Sequence, residues 1–250
     1  MVRRWLSAPL LAFGFLTVIP VRGVSFDEAG TVGRSLRWFP FVGLLVGGVL
    51  AAVDRLAMTA FSPEIAVALV LVASAALTGA LHLDGLGDTA DGVFGGRTPE
   101  RRLEIMRDSR IGSYGVVAVV LVLLTMYAAL VSTVEHDRWR ALVIVPTLSR
   151  AGMVYAIASF AYARPTGLGR TFKDHVSRSD VVFAGIAGLV VAVAVLRTEG
   201  AILWSVGVVA ALAIGWYCTR RLGGLTGDTF GAIAAVTEAL LFCLVAAEWW

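Results

Sequence analysis

Residues 113–133 read SYGVVAVVLVLLTMYAALVST, an apolar run without a single charged side chain. A helix rising about 1.5 Å per residue over this length covers the ~30 Å hydrocarbon core of a bilayer. Similar runs recur at roughly 38–59, 63–83, 139–161, 180–197, 200–219 and 229–249. A shorter run, 5–20, is interrupted by Pro9, Gly14 and Pro20, which leaves it as an eighth span or a re-entrant or interfacial helix. The expected fold is therefore all-α. It is a polytopic integral membrane bundle of seven spanning helices plus this N-terminal segment, one domain over residues 1–250. Composition agrees: mean hydropathy is +0.82, and 16% of residues are charged, well under the usual ~25%. No alternating ten-residue pattern points to a transmembrane barrel.

Charge placement orients the bundle. If the seven spans alternate, the connections 21–37, 84–112, 164–180 and 220–228 share one side. They carry Arg22, Arg34, Arg37, Arg97, Arg101, Arg102, Arg107, Arg110, Arg164, Arg170, Lys173, Arg178, Arg220 and Arg221. The opposite connections carry only Arg55, Arg138, Arg140 and Arg197. Fourteen against four predicts a multi-pass protein of the cytoplasmic (inner) membrane with the first set of loops facing the cytoplasm. Arg3 and Arg4 fit if the first segment dips in and returns. They precede an apolar run as in a signal peptide, but no small-residue cleavage site follows, so the run reads as retained. The net charge of +3 is spread over short loops and is no nucleic-acid footprint. Cys218 and Cys243 lie in or beside apolar segments and read as packed small side chains.

The chemistry sits in residues 82–96, HLDGLGDTADGVFGG. Asp84, Asp88 and Asp91 at i, i+4 and i+7 fall within an arc of roughly 60° on a helix turning ~100° per residue. Three like charges at a membrane boundary need something positive among them. Mg²⁺ suits them because it takes oxygen ligands and leaves positions open for phosphate. The competing reading is a solvated acidic loop. His82 reads as a packing or hydrogen-bonding residue, since Mg²⁺ prefers oxygen.

Three other constellations share that side of the membrane or lie beneath it. Residues 98–115, TPERRLEIMRDSRIGSYG, begin a short helix at Thr98-Pro99 and end in a turn. There Arg107, Asp108, Ser109 and Arg110 stand beside Gly112, a setting for a phosphate or diphosphate. Residues 223–232, GGLTGDTFGA, repeat the Gly-Asp-Thr of 87–89 at 227–229, so Asp228 is either a second-helix acid for the metal or base chemistry, or a helix N-cap. Glu238 lies deeper in that span, where an acid is functional or tightly paired, and Arg150 is a candidate partner or anion ligand. The loop 164–178, RPTGLGRTFKDHVSR, offers Arg164, Arg170 and Lys173 as a flexible anion-binding lid.

Taken together these segments resemble the cobalamin synthase family of adenosylcobinamide-GDP ribazoletransferases. The matching elements are 15–20 (FLTVIP), 82–92 (HLDGLGDTADG), 105–115 (IMRDSRIGSYG) and 225–232 (LTGDTFGA), in the expected order along the chain. Arg107 stands where lysine is expected, which keeps the charge. The resemblance implies joining of a GDP-activated cobinamide to α-ribazole or its 5′-phosphate with release of GMP, in the last steps of cobalamin biosynthesis. A ribose hydroxyl would attack the phosphorus that stays with the corrinoid. Mg²⁺ held by Asp84, Asp88 and Asp91 would neutralise the diphosphate, and Asp228 or Asp108 would accept the hydroxyl proton. Implied partners are the corrinoid-GDP and α-ribazole substrates and the lipid bilayer, with other cobalamin-assembly enzymes as further candidates.

Two alternatives stand beside this. A CDP-alcohol or prenyl-type membrane phosphotransferase also gathers aspartates around divalent metals, but its D-x-x-D-G and G-x-x-x-D-x-x-x-D runs differ from the D-x-x-x-D-x-x-D found here. A cation or metabolite transporter would place its acids near the midplane, whereas these cluster at one boundary with arginines.

Overall fold

The computed structural model describes residues 6–24 and 29–247. Arg3 and Arg4, the start of the 5–20 run and the last residues of the 229–249 run lie outside the described residues. Within them the chain is helical: α1 (Ser7–Leu16), α2 (Ala29–Ser35), α3 (Phe39–Ala57), α4 (Pro63–Thr78), α5 (Leu81–Gly95), α6 (Pro99–Ile105), α7 (Ser113–Ser132), α8 (Glu135–Ser159), α9 (Leu168–His175), α10 (Arg178–Leu222) and α11 (Gly227–Ala246). No β-strand occurs among the described residues, where an isolated bridge pairs Tyr162 with Leu225. Five helices are long and apolar enough to cross a membrane, or six if the bent pair α4–α5 is one span. At ten residues α1 is about 15 Å long and cannot cross alone, and its Leu11, Ala12 and Leu16 are buried in the core.

The central element is α8, which packs against α3, α10 and α11 and is buried on nearly every side. Its closeness to α3 comes from glycine: a methyl group on Gly43 or Gly47 would drive into the carbonyls of Pro146 and Leu142. Small residues at such crossings let backbones approach and gain dispersion contact, the main source of helix affinity inside a membrane. Two charges on this bundle are neutralised by a buried pair, Arg138 Nε donating to Asp54 Oδ1 at 2.9 Å.

One expected span departs from the structure. The predicted run 63–83 is not one helix. Ala80 N–H bonds the Ala75 carbonyl and Gly79 N–H that of Ala76, a Schellman stop with Gly79 at φ 61° and Ala80 at φ 55°. The chain then turns by 87° into α5, so the aspartate helix lies nearly perpendicular to α4. In contrast, α10 breaks at Arg197 (φ 52°, ψ −125°), where the predicted runs 180–197 and 200–219 meet. Gly188 stands beside Trp204 and Gly200 against Ala192, so the two arms run antiparallel.

Contacts gather the loops into two groups. At one end Arg37 pairs with Asp180 (2.5 Å), Arg102 reaches the Arg221 carbonyl (2.8 Å), and Arg221 reaches that of Val93 (3.3 Å). At the other, Ser132, Asp137, Arg140, Arg197, Glu199 and Ala246 line a common cavity of about 660 Å³. The motif-bearing loops belong to the first group.

Candidate active site

The site is built where α5 meets α11. A methyl group on Gly85 would stand 2.5 Å from the Asp228 carbonyl oxygen, and one on Gly231 would stand 3.1 Å from that of Leu81. The two helices therefore touch backbone to backbone, and the first turn of α11 lies directly on the aspartate helix. That first turn is fixed by a capping box. Thr226 Oγ1 accepts from Thr229 N–H (3.3 Å), and Thr229 Oγ1 accepts from Thr226 N–H (2.8 Å). The N-cap is thus Thr226, not Asp228. Relieved of that role, Asp228 faces Arg164, whose Nη2 donates to Oδ2 at 2.8 Å.

Arg164 reaches Asp228 because the chain on either side is paired. Leu225 N–H bonds the Ala161 carbonyl (2.8 Å) and Ala163 N–H bonds that of Leu225 (2.7 Å). Tyr162, between them, packs its ring 6.0 Å from that of Phe230, and burial raises its phenol above the ordinary value. No pattern around Tyr162 distinguishes it in the sequence.

The three aspartates of α5 share a helix and an arc but not an environment. Asp84 is exposed, Asp88 half-buried and Asp91 buried. Asp88 lies within electrostatic reach of Asp228, Asp84, Arg164 and Asp91. Among the described residues neither Asp84 nor Asp88 has a side-chain hydrogen bond or ion pair. Asp91 instead turns to α7, accepting from Gly112 N–H (2.6 Å) and Gly115 N–H (2.9 Å). Its carboxylate caps that helix at its positive end, and a methyl group on either glycine would collide with it. No three His, Cys, Asp or Glu side chains are gathered closely enough to hold an ion among the described residues. The available oxygen donors are the pair Asp84 and Asp88 on α5, with Asp228 opposite.

This separates two roles for neighbouring acids. Asn at 91 keeps one carbonyl acceptor for the α7 amides, so Asp91→Asn is expected to lower kcat by less than about tenfold while reducing the melting temperature. Initial rates and thermal melts in detergent check both.

The remaining candidates are scattered. Arg110 pairs with its neighbour Asp108 through Nη2 (2.7 Å) and Nε (3.0 Å), and its side chain is 86% exposed. Those hydrogen bonds hold the Asp108 carboxyl down to about 2, so it is a poor proton acceptor near neutrality. Arg107 and Ser109 are exposed on the same turn. Asp108 and Arg110 line a cleft of about 460 Å³ with Arg101, Glu104, Asp91 and Tyr114.

The 164–178 segment is not a free lid. Phe172 is buried between Phe15 and Phe39 at ring distances of 4.9 and 5.7 Å. Arg170 pairs with Asp174 (2.7 Å), and Lys173 donates to the Ala158 carbonyl (2.7 Å). Arg150 and Glu238, buried inside the bundle, are ion-paired to each other. In sequence Arg102 and Arg221 look like ordinary loop charge. Both tie loops to the end of α5, Arg102 through the Gly96 carbonyl (2.9 Å) and Arg221 through that of Val93.

A profile of the family described as cobalamin-5-phosphate synthase matches residues 8–246. The chain is similar to proteins named adenosylcobinamide-GDP ribazoletransferase. That of Roseiflexus sp. (strain RS-1) is 41% identical over 92% of this chain and 85% of the relative. That of Acetivibrio thermocellus is 37% identical over 96% and 98%. That of Chlorobaculum tepidum is 37% identical over 98% and 96%. No solved structure matches.

Proposed function

The chain belongs to the cobalamin-5-phosphate synthase family, and we propose that it performs the family's transfer where Asp84 and Asp88 of α5 face Asp228 and Arg164. It is a membrane-embedded transferase of cobalamin biosynthesis, an adenosylcobinamide-GDP ribazoletransferase by activity. Family membership over nearly the whole chain displaces the CDP-alcohol and transporter readings.

In the proposed reaction a ribose hydroxyl oxygen of α-ribazole, or of its 5′-phosphate, bonds to the phosphorus attached to the corrinoid. The bond from that phosphorus to the bridging oxygen breaks, and GMP leaves with the electron pair. Asp228 takes the hydroxyl proton on Oδ1, since Arg164 bonds only its Oδ2, whereas Arg110 occupies both oxygens of Asp108. Arg164, beside Asp228, binds diphosphate oxygens through its planar fork. The donor chemistry of Asp84 and Asp88 fits Mg²⁺, which commonly uses one or two carboxylates and completes its shell with substrate phosphate and water. When bound there, Mg²⁺ would supply neutralisation of charge on the diphosphate and leaving GMP. Asp91 acts at a remove, fixing α7 against α5.

The same reading carries topology. Counting α4 and both arms of α10 separately gives seven spans (α3, α4, α7, α8, the two arms, α11). The arginine-rich loop group then faces the cytoplasm, where nucleotide-linked substrates are found.

The observation that carries the proposal is the pair Asp84 and Asp88, without a protein cation of their own, set against Asp228 and Arg164. The test is turnover by purified protein in liposomes with adenosylcobinamide-GDP and α-ribazole. Corrinoid product and GMP should appear one for one with Mg²⁺ and stop on chelation with EDTA. Product formation undiminished in EDTA would remove the metal from the proposal, and no product with either ribazole form would remove the reaction.

A further inference from the structure

We propose that His82, Ser149, Arg150 and Glu238 form a positioning cluster that holds α5 in register with α8 and α11, and so sets where Asp84 and Asp88 stand relative to Asp228. This rests on the reading of those aspartates as the reaction site. In sequence Arg150 reads as a partner of Glu238 or an anion ligand, and Glu238 as a functional or tightly paired acid. Their side chains are only 2% and 11% exposed, and both are engaged within the bundle.

Arg150 of α8 reaches two helices with one guanidinium. Its Nη1 pairs with Glu238 of α11 and donates to Ser149 Oγ (3.1 Å), and Ser149 Oγ donates to Glu238 Oε1 (2.9 Å). Its Nη2 lies 3.1 Å from His82 Nδ1 at the start of α5. Arginine has no acceptor, so His82 accepts at Nδ1 and carries its proton on Nε2. The guanidinium is planar and rigid, so a shift of α5 along α11 would break one arm of the fork.

An Arg–Glu pair alone would balance charge inside the membrane, and His82 adds nothing to that balance. What it adds is a link to the helix two residues before Asp84. Asp91 ties α5 to α7, but toward α8 and α11 the His82 contact is the side-chain polar link that α5 makes among the described residues. Gly85, Gly87, Gly92 and Gly95 leave α5 few side chains to interlock, and its contact with α11 runs through the smooth surface of Gly85 and Gly231. Glycine surfaces allow close approach but resist sliding weakly. A directional polar contact sets the register instead.

His82→Phe removes the link to α5 and leaves the Arg150–Glu238 pair in place. The expected result is a kcat about tenfold or more below wild type, with KM for both organic substrates within about twofold, because small misplacement of reacting groups acts on rate rather than on binding. Mn²⁺ binding followed by electron paramagnetic resonance should weaken by about as much, with the melting temperature near wild type. His82→Asn, which offers Oδ1 in place of Nδ1, should recover most of the rate. The double variant Arg150→Leu/Glu238→Leu removes both charges together and should lose kcat as His82→Phe does. Wild-type kcat and Mn²⁺ affinity in His82→Phe, or full activity in the double variant, would overturn the cluster's role while leaving the reaction reading intact. A wild-type protein that makes no corrinoid product in the same assay would remove both.

Discussion

Asp88→Asn is expected to lower kcat by about a hundred- to a thousandfold at saturating Mg²⁺, with KM for α-ribazole changed by a few-fold at most. The substitution keeps shape and removes one charge, so it isolates electrostatics. Losing a preorganised charge interaction with the transition state in a partly buried site costs on the order of 3–4 kcal/mol, which is the stated rate effect. Asp88 has the position for this role. It is half-buried and stands among Asp84, Asp228 and Arg164. A solvated surface acid would change rates less than about threefold. Initial rates of GMP release in liposomes, with Mg²⁺ titrated to saturation, separate the two.

Gly85→Ala is the second large effect. The added methyl group meets the backbone carbonyl of Asp228 at 2.5 Å, and a backbone cannot move aside as a flexible side chain would. The helices must separate, with an overpacking penalty of about 1–3 kcal/mol. Displacement of Asp84 and Asp88 from Asp228 by a fraction of an ångström is expected to lower kcat by about ten- to a hundredfold. Gly48→Ala on α3 is the matched control, because nothing lies within 4 Å of a methyl group there. Its rate and melting temperature should stay near wild type. Equal loss in both variants would mean that helix stability, not the α5–α11 contact, governs the result.

Much of the architecture is legible in the chain because lipid imposes a simple rule: backbone polar groups must be satisfied within a helix, so long apolar runs become helices. The runs at 113–133, 139–161 and 229–249 correspond to α7, α8 and α11. Even the hairpin in α10 shows in the sequence, as Arg197 and Glu199 between two apolar runs. The break after α4 is harder to see. Gly79 is one small residue among many, and nothing local marks Ala80 as left-handed.

At the site, periodicity places the three aspartates of α5 on one face but says nothing of what each one meets. Asp91 is claimed by Gly112 and Gly115 at the start of α7, more than twenty residues along the chain. Asp108 is claimed by Arg110 two residues away, a pairing that depends on the turn conformation rather than on spacing. Asp228 resembles an N-cap in sequence. The Thr226–Thr229 box takes that role because a threonine three residues before another can satisfy the amides reciprocally. In sequence Arg150 fits either a pair with Glu238 or an anion, and its link to His82 needs three helices in space.

The most direct measurement is an experimental structure in lipid nanodiscs with Mg²⁺ and a non-transferable diphosphate analogue of the corrinoid substrate. The site described above predicts the diphosphate between Asp84 and Asp88 on one side and Arg164 on the other, with the acceptor hydroxyl pocket beside Asp228. A diphosphate seated on the Ser109–Arg110 turn, or at the opposite end of the bundle among Arg140 and Arg197, would contradict it.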